Sequence, residues 1–322
     1  MPERTGRLAL ISSKSGAETL AGKCDSVNID RKTSGITFII PAYNCAGTIQ
    51  QAVFSITNGN LKEGDDIVVV NDGSTDETRD MIARIEEQHG FIRVINHQVN
   101  NGGAAARNTA AENSSNETIF CLDSDNLLIP GSVRKLKEYM VSSGADVAAF
   151  EALHYFQDNP QEITHRWVFK RGIHTLSDCL AGAQSPIASG NYMYTKASWK
   201  RAGGYPEFAG ALDAWGFGLR QIASGAKMTV LPEYYYLHRY GHESYWIRSS
   251  GERDRIAFRV LEPFLHMIED EDAEYIRNNR DSWFSNLSKH AIRIKNEGKG
   301  VNGRVISPSF VKRIFNKLTK NI

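Results

Sequence analysis

Two short apolar runs, each stopped by a polar turn, constrain the fold most. Ile36-Thr37-Phe38-Ile39-Ile40 ends at Pro41, and Ile67-Val68-Val69-Val70 ends at Asn71-Asp72-Gly73. Near-continuous apolar runs of this length suit strands covered on both faces, as in a parallel sheet. Between them Ile49, Val53 and Ile56 recur at helical spacing, and after the second run Met81, Ile82 and Ile85 follow the capping candidates Ser74, Thr75 and Asp76. The alternation continues with a strand around Phe91 to Ile95, a helix from Gly103 to Glu112, a strand from Thr118 to Leu122, a helix after Gly131 and a strand over Val147 to Phe150. Strand and helix in strict alternation predict an α/β chain with a Rossmann-like, mostly parallel sheet flanked by helices.

With 322 residues, 41% of them hydrophobic, one large domain with appendages is the natural organisation. The expected boundaries are an N-terminal extension over 1–34, a catalytic domain over 35–250 and a helical C-terminal region over 251–322. Residues 155–250, rich in aromatics and short turns, read as a region that shapes a substrate site. A formal net charge of +1 gives no global reason to expect a nucleic acid partner. Four scattered cysteines, Cys24, Cys45, Cys121 and Cys179, form no metal-ligand spacing and no disulfide framework, which fits a reducing cytoplasm. No apolar stretch is long enough to span a bilayer. A basic C-terminal segment with Phe310, Val311, Ile314, Phe315 and Leu318 at helical spacing predicts either peripheral contact with an anionic membrane or packing on the chain itself.

In open α/β sheets ligands bind beyond the carboxyl ends of the strands. Three polar clusters stand there: Pro41-Ala42-Tyr43-Asn44, Asn71-Asp72-Gly73-Ser74-Thr75-Asp76 and Asp123-Ser124-Asp125-Asn126. Acids two apart at a strand end can hold Mn²⁺ or Mg²⁺ through oxygen while the ion's open positions take diphosphate oxygens; solvated turn aspartates are the ordinary alternative. Gly102-Gly103 belongs to no phosphate-loop pattern and is expected to serve a turn of positive φ or close helix packing.

Taken in order, Ile39-Ile40-Pro41-Ala42-Tyr43-Asn44, Val70 to Asp76, Asn101 to Asn108 and Leu122-Asp123-Ser124-Asp125 resemble the inverting family 2 glycosyltransferases of GT-A fold. That resemblance implies transfer of a sugar from a nucleoside diphosphate sugar, a UDP-sugar by expectation, to a hydroxyl of a glycan or lipid-linked acceptor in polysaccharide or lipopolysaccharide synthesis. It implies a nucleotide pocket of Pro41, Tyr43, Asn44, Asp72, Arg107 and Asp123, and a metal site of Asp123 and Asp125. Tyr234 to Ser244 resembles the family's segment that closes over the donor diphosphate, where His238 either completes the metal shell, contacts phosphate or has a structural role. Gly190-Asn191-Tyr192-Met193, Gly203-Gly204-Tyr205-Pro206-Glu207 and Leu219-Arg220 are similar to the family's acceptor frame, where a Glu-Asp pair usually precedes Leu-Arg. Here Leu212-Asp213 stands in that place, so Asp213 is the expected general base, and Trp215 is either a sugar-stacking face or a core residue. The missing acid keeps open a catalytically silent sugar-nucleotide-binding subunit. A nucleotidyltransferase would need a basic glycine-rich loop after Ile40, which is absent.

Overall fold

A computed structural model of the chain describes residues 34–180, 185–241, 250–286 and 292–295. The extension before Ser34, the segment carrying His242 and Glu243, and the basic segment from 296 onward lie outside the described residues.

The first half alternates as expected: β1 (Ile36–Ala42), α1 (Ile49–Thr57), β2 (Asp66–Asp72), α2 (Thr78–Gln88), β3 (Ile92–His97), α3 (Gly103–Glu112), β4 (Thr118–Cys121) and α4 (Ser132–Ser142). β5 (Val147–Phe156), β6 (His165–Val168), β7 (Gly172–His174), α5 (Leu176–Leu180), β8 (Met193–Thr195), α6 (Lys196–Ala202), α7 (Asp213–Ala223) and β9 (Met228–Arg239) follow. Two further helices, α8 (Arg253–Leu261) and α9 (Asp270–Asn278), come last.

The strands form one mixed sheet in the order β3-β2-β1-β4-β8-β5-β9-β7, with β6 paired to β5. β3, β2, β1 and β4 are mutually parallel, so their carboxyl ends share one edge. β8 runs antiparallel to both β4 and β5, and the parallel pair β5 and β9 completes the far side. The looser sequence pattern after 155 thus conceals sheet structure. In β9, Pro232 lacks an N–H and Glu233 adopts φ 68°, where the pairing with β5 slips by a bulge.

Period-two alternation sorts the strand side chains into two cores. Ile39, Val68, Val70, Ile119 and Cys121 pack with α3, α7, α8 and α9, while Phe38, Ile40, Ile67, Val69 and Phe120 pack with α1, α2 and α4. In α3 the buried Ala104, Ala106, Ala110 and Ala111 let the helix lie close on the sheet. Ala257, Leu261 and Ile276 belong to the same apolar cluster as Ile39, so the described part of the helical C-terminal region shares its core with the sheet. Among the described residues no helix is long and apolar enough to cross a membrane.

Candidate active site

The loops after β1 and β2 are zipped together. Asn44, held at φ 48°, accepts from the Thr75 amide through its side-chain oxygen at 2.8 Å, and its own amide donates to Ser74 Oγ at 3.1 Å. The Cys45 amide donates to Thr78 Oγ1 at 2.7 Å and the Ala46 amide to Asp76 at 3.3 Å. Asp76 also accepts from the Thr78 amide at the start of α2, so it serves that helix start, whereas Ser74 and Thr75 serve the β1 loop. Tyr43 stands beside these loops with 45% of its surface exposed, an aromatic face left open at the sheet edge. Asn44 is therefore occupied in shaping the loop, and Tyr43 is the free surface.

Asp72 is buried at the end of β2. One carboxylate oxygen accepts from the Asn101 amide at 3.0 Å and lies 2.7 Å from His97 Nδ1, and the other accepts from the Gly102 amide at 2.8 Å. Both oxygens hold the turn into α3, where Gly102 takes the positive φ of 91° that its residue type permits. Asp72 thus fixes the turn into α3, with its carboxylate taken up by two chain amides and the His97 ring.

Arg107 projects from α3 and joins two acids that are far apart in sequence. Its Nη2 donates to Asp123 Oδ1 and its Nη1 to Asp213 Oδ2, each at 2.6 Å. Burial works to lower the Arg107 pKa, but the two carboxylates hold it well above its ordinary value. The guanidinium folds back over Gly103, where a Cβ would stand 2.7 Å from Nη1. A close approach explains this glycine better than any phosphate loop.

Asp213 is buried at the first position of α7 and accepts from the Ala214 amide at 2.6 Å. Burial raises its pKa and Arg107 opposes that rise. The place of the absent companion acid is filled by Leu212, a buried member of the apolar cluster. Asn191, just before β8, clamps Asp123 twice, accepting from its amide at 2.6 Å and donating to Oδ2 at 2.8 Å. Resemblance put Gly190-Asn191 in the acceptor frame, but the contact with Asp123, 68 positions away, had no local signal.

Asp125 differs from Asp123. Among the described residues no other residue donates a hydrogen bond to its carboxylate, and burial together with the neighbouring Asp123 raises its pKa to about 7. Poorly solvated oxygens facing a like charge are what a cation would relieve. No three His, Cys, Asp or Glu side chains among the described residues are gathered closely enough to cage an ion. Mg²⁺-type ions are commonly held by one or two carboxylates plus substrate phosphates, so Asp125 with Asp123 fits a shared site.

His238, near the end of β9, lies with Nδ1 3.4 Å from both the Asn126 amide nitrogen and Tyr236 Oη. Asn126 Oδ1 accepts from the Arg239 amide at 2.9 Å, which turns its amino group to the imidazole. With Nδ1 accepting from that amino group, the proton of the neutral ring would sit on Nε2. Burial keeps the ring neutral, lowering its pKa to about 4. A neutral imidazole of this kind serves either as a hydrogen-bond donor to phosphate or as a metal ligand.

Trp215 is buried, donates from its indole to Cys179 O at 2.9 Å and packs on Phe284. The structure assigns it to the core, and no face is left for a sugar. Trp215→Phe keeps much of the packing but removes the indole's hydrogen bond to Cys179 O, so denaturant unfolding should show a loss of about 1–3 kcal/mol. A specific rise in acceptor KM with unchanged stability would reverse this assignment.

A mixed sheet whose parallel half carries strand-end acids, with an acid from the second half held beside them, is GT-A-like. The pattern of Glycosyl transferase family 2 matches residues 37–201, and the chain belongs to that family. Over 107 residues it is 35% identical to a poly-β-1,6-N-acetyl-D-glucosamine synthase of Staphylococcus aureus, a stretch that is 33% of this chain and 25% of that relative. Against the synthase of Staphylococcus epidermidis the identity is 32% over 98 residues, 30% of this chain and 23% of the relative. The chain thus matches about a quarter of the length of these relatives. The crystal structure of S. aureus TarS in complex with UDP-GlcNAc is similar with a TM-score of 0.60 at 18% identity, over 79% of this chain and 75% of that one. A TarS structure in complex with UDP gives a TM-score of 0.58. These likenesses show the common fold.

Proposed function

We propose that the chain transfers a sugar from a nucleoside diphosphate sugar, a UDP-sugar by preference, to a hydroxyl acceptor with inversion of configuration, in the assembly of a polysaccharide or related glycan. The observation that carries this reading is the Asp123–Arg107–Asp213 bridge, which places an acid from the second half of the chain beside the acids at the sheet edge. Family membership supports inversion, and the named relatives support a UDP-sugar.

In this reading Tyr43 covers the base, while Asp72 and Asn44 hold the loops that form the pocket wall. Asp213 takes the proton of the acceptor hydroxyl as that oxygen attacks the anomeric carbon opposite the leaving diphosphate. Arg107 keeps Asp213 oriented and favours its ionised form. A Mn²⁺ or Mg²⁺ ion held by Asp125 and Asp123 would supply charge stabilisation to the leaving diphosphate. His238 offers Nε2–H toward phosphate. Asn191 holds Asp123 in place through two hydrogen bonds.

A panel of nucleotide sugars incubated with the protein and Mn²⁺ tests the proposal. Slow hydrolysis of one or a few UDP-sugars, quickened by a carbohydrate acceptor, is the expected result. Binding of the sugar nucleotide with neither hydrolysis nor transfer to any acceptor would instead support the silent binding subunit.

A further inference from the structure

We propose that Asn108 is a positioning residue for transfer to the acceptor, setting the segment 203–207, and Asp213 beyond it, against α3. The assignment rests on the transferase reading above and adds a residue to which that reading gives no role.

The side-chain amide of Asn108 is used in full. Its oxygen accepts from the Tyr205 amide at 2.8 Å and from the Trp199 indole at 3.2 Å. Its nitrogen donates to Tyr205 O at 2.9 Å and to Glu207 Oε1 at 3.1 Å. A backbone N–H and an indole only donate, while a carbonyl and an ionised carboxylate only accept, so the partners themselves fix which end of the amide faces which. The approach is close enough that a Cβ on Gly204 would stand 2.7 Å from Asn108 Oδ1.

Two adjacent residues of α3 thus grip one stretch of chain at two points. Arg107 holds the Asp213 carboxylate, and Asn108 holds the backbone of Tyr205 by both its N–H and its C=O. The turn Glu207–Leu212 joins the two grips, and Asp213 follows it as the first residue of α7. A single contact would let that stretch pivot about Arg107, whereas two contacts from one helix set its distance from the acids at the sheet edge. The partners of Asn108 lie 91 to 99 positions away, so no local preference of the segment can replace the grip.

A general base must stand within hydrogen-bond reach of the proton it takes, and a displacement of about 1 Å far from the chemistry can cost about 10²-fold in rate. Asn108 acts through the residues it holds, on the transfer step and not on the nucleotide.

Steady-state transfer with the sugar nucleotide and acceptor picked out by the panel above, beside calorimetry with UDP and thermal unfolding, tests the role. Asn108→Asp keeps the shape but turns the donating end into an acceptor facing Tyr205 O and Glu207. It should lower kcat/KM for the acceptor about 10²-fold while UDP affinity stays within about twofold. Asn108→Ala, which removes the bonds without adding charge, should lose as much. Adding Glu207→Gln to Asn108→Asp returns a donor opposite the new carboxylate and should recover part of the transfer rate, measured where every variant is folded. Variants that are less stable yet transfer like the parent when folded would reduce Asn108 to a structural tie. Equal losses for UDP and acceptor would place its action on the donor pocket, and a loss confined to Asn108→Asp would make it an effect of charge; either result overturns the assignment. If the parent turns over no sugar nucleotide, the transferase reading fails first and takes this assignment with it.

Discussion

Asp213→Asn should bind UDP and Mn²⁺ much as the parent does and transfer sugar about 10² to 10⁴ times more slowly, the usual cost of losing a general base. Asn keeps the shape of the side chain but cannot take the acceptor's proton. It has one oxygen where Asp213 uses two, toward Arg107 and toward the Ala214 amide. One of those donors loses its acceptor, so a modest stability loss of about 1–3 kcal/mol accompanies the catalytic loss. Single-turnover transfer beside calorimetric UDP binding separates the two effects. Near-normal transfer would sink the assignment. Glu207 would then be the next acid to test, although its Oε1 already accepts from Asn108 at 3.1 Å. Lost UDP binding would mean that the Arg107 bridge shapes the pocket.

Asp125→Ala should remove metal-stimulated turnover while the fold survives. The carboxylate receives no hydrogen bond from any other described residue, so truncation leaves no partner unsatisfied. A metal acting as an electrophile contributes several kcal/mol to the transition state, so its loss should lower turnover by about 10² to 10³ or more. Titrating Mn²⁺ and Mg²⁺ against initial rate, with thermal unfolding as control, gives the answer. A variant that responds to metal like the parent would exclude Asp125 as a ligand. Asp123 is the less informative position for this experiment. Its carboxylate also anchors Arg107 and Asn191, so a loss of activity there would mix metal binding with the collapse of the bridge.

Much of the architecture was written locally. The apolar runs at Ile36 and Ile67 became β1 and β2 because backbone pairing and two-sided burial select such runs wherever they end in turn residues. Gly103 to Glu112 was legible as a helix because its small side chains follow a glycine turn, and its observed bounds agree. Parallel pairing then brings the three polar clusters to one edge, since each follows the carboxyl end of a strand. The segment after 155 was less legible. Strands such as Met193–Thr195 are three residues long, too short to show a period, and they form only because β4 and β5 stand ready to pair with them.

The sequence by itself determined which elements form, which edge carries the acids, and the residue types available for chemistry there. Only the tertiary structure decided how those residues are used. Arg107 reaches Asp213 across 106 positions of chain while it also holds Asp123, Asn191 clamps Asp123 across 68, and Trp215 goes inward to Cys179 O. The physical reason is range. Turn chemistry and hydrophobic period act over a few residues, whereas an ion pair or a buried indole depends on which distant elements the closed sheet sets face to face.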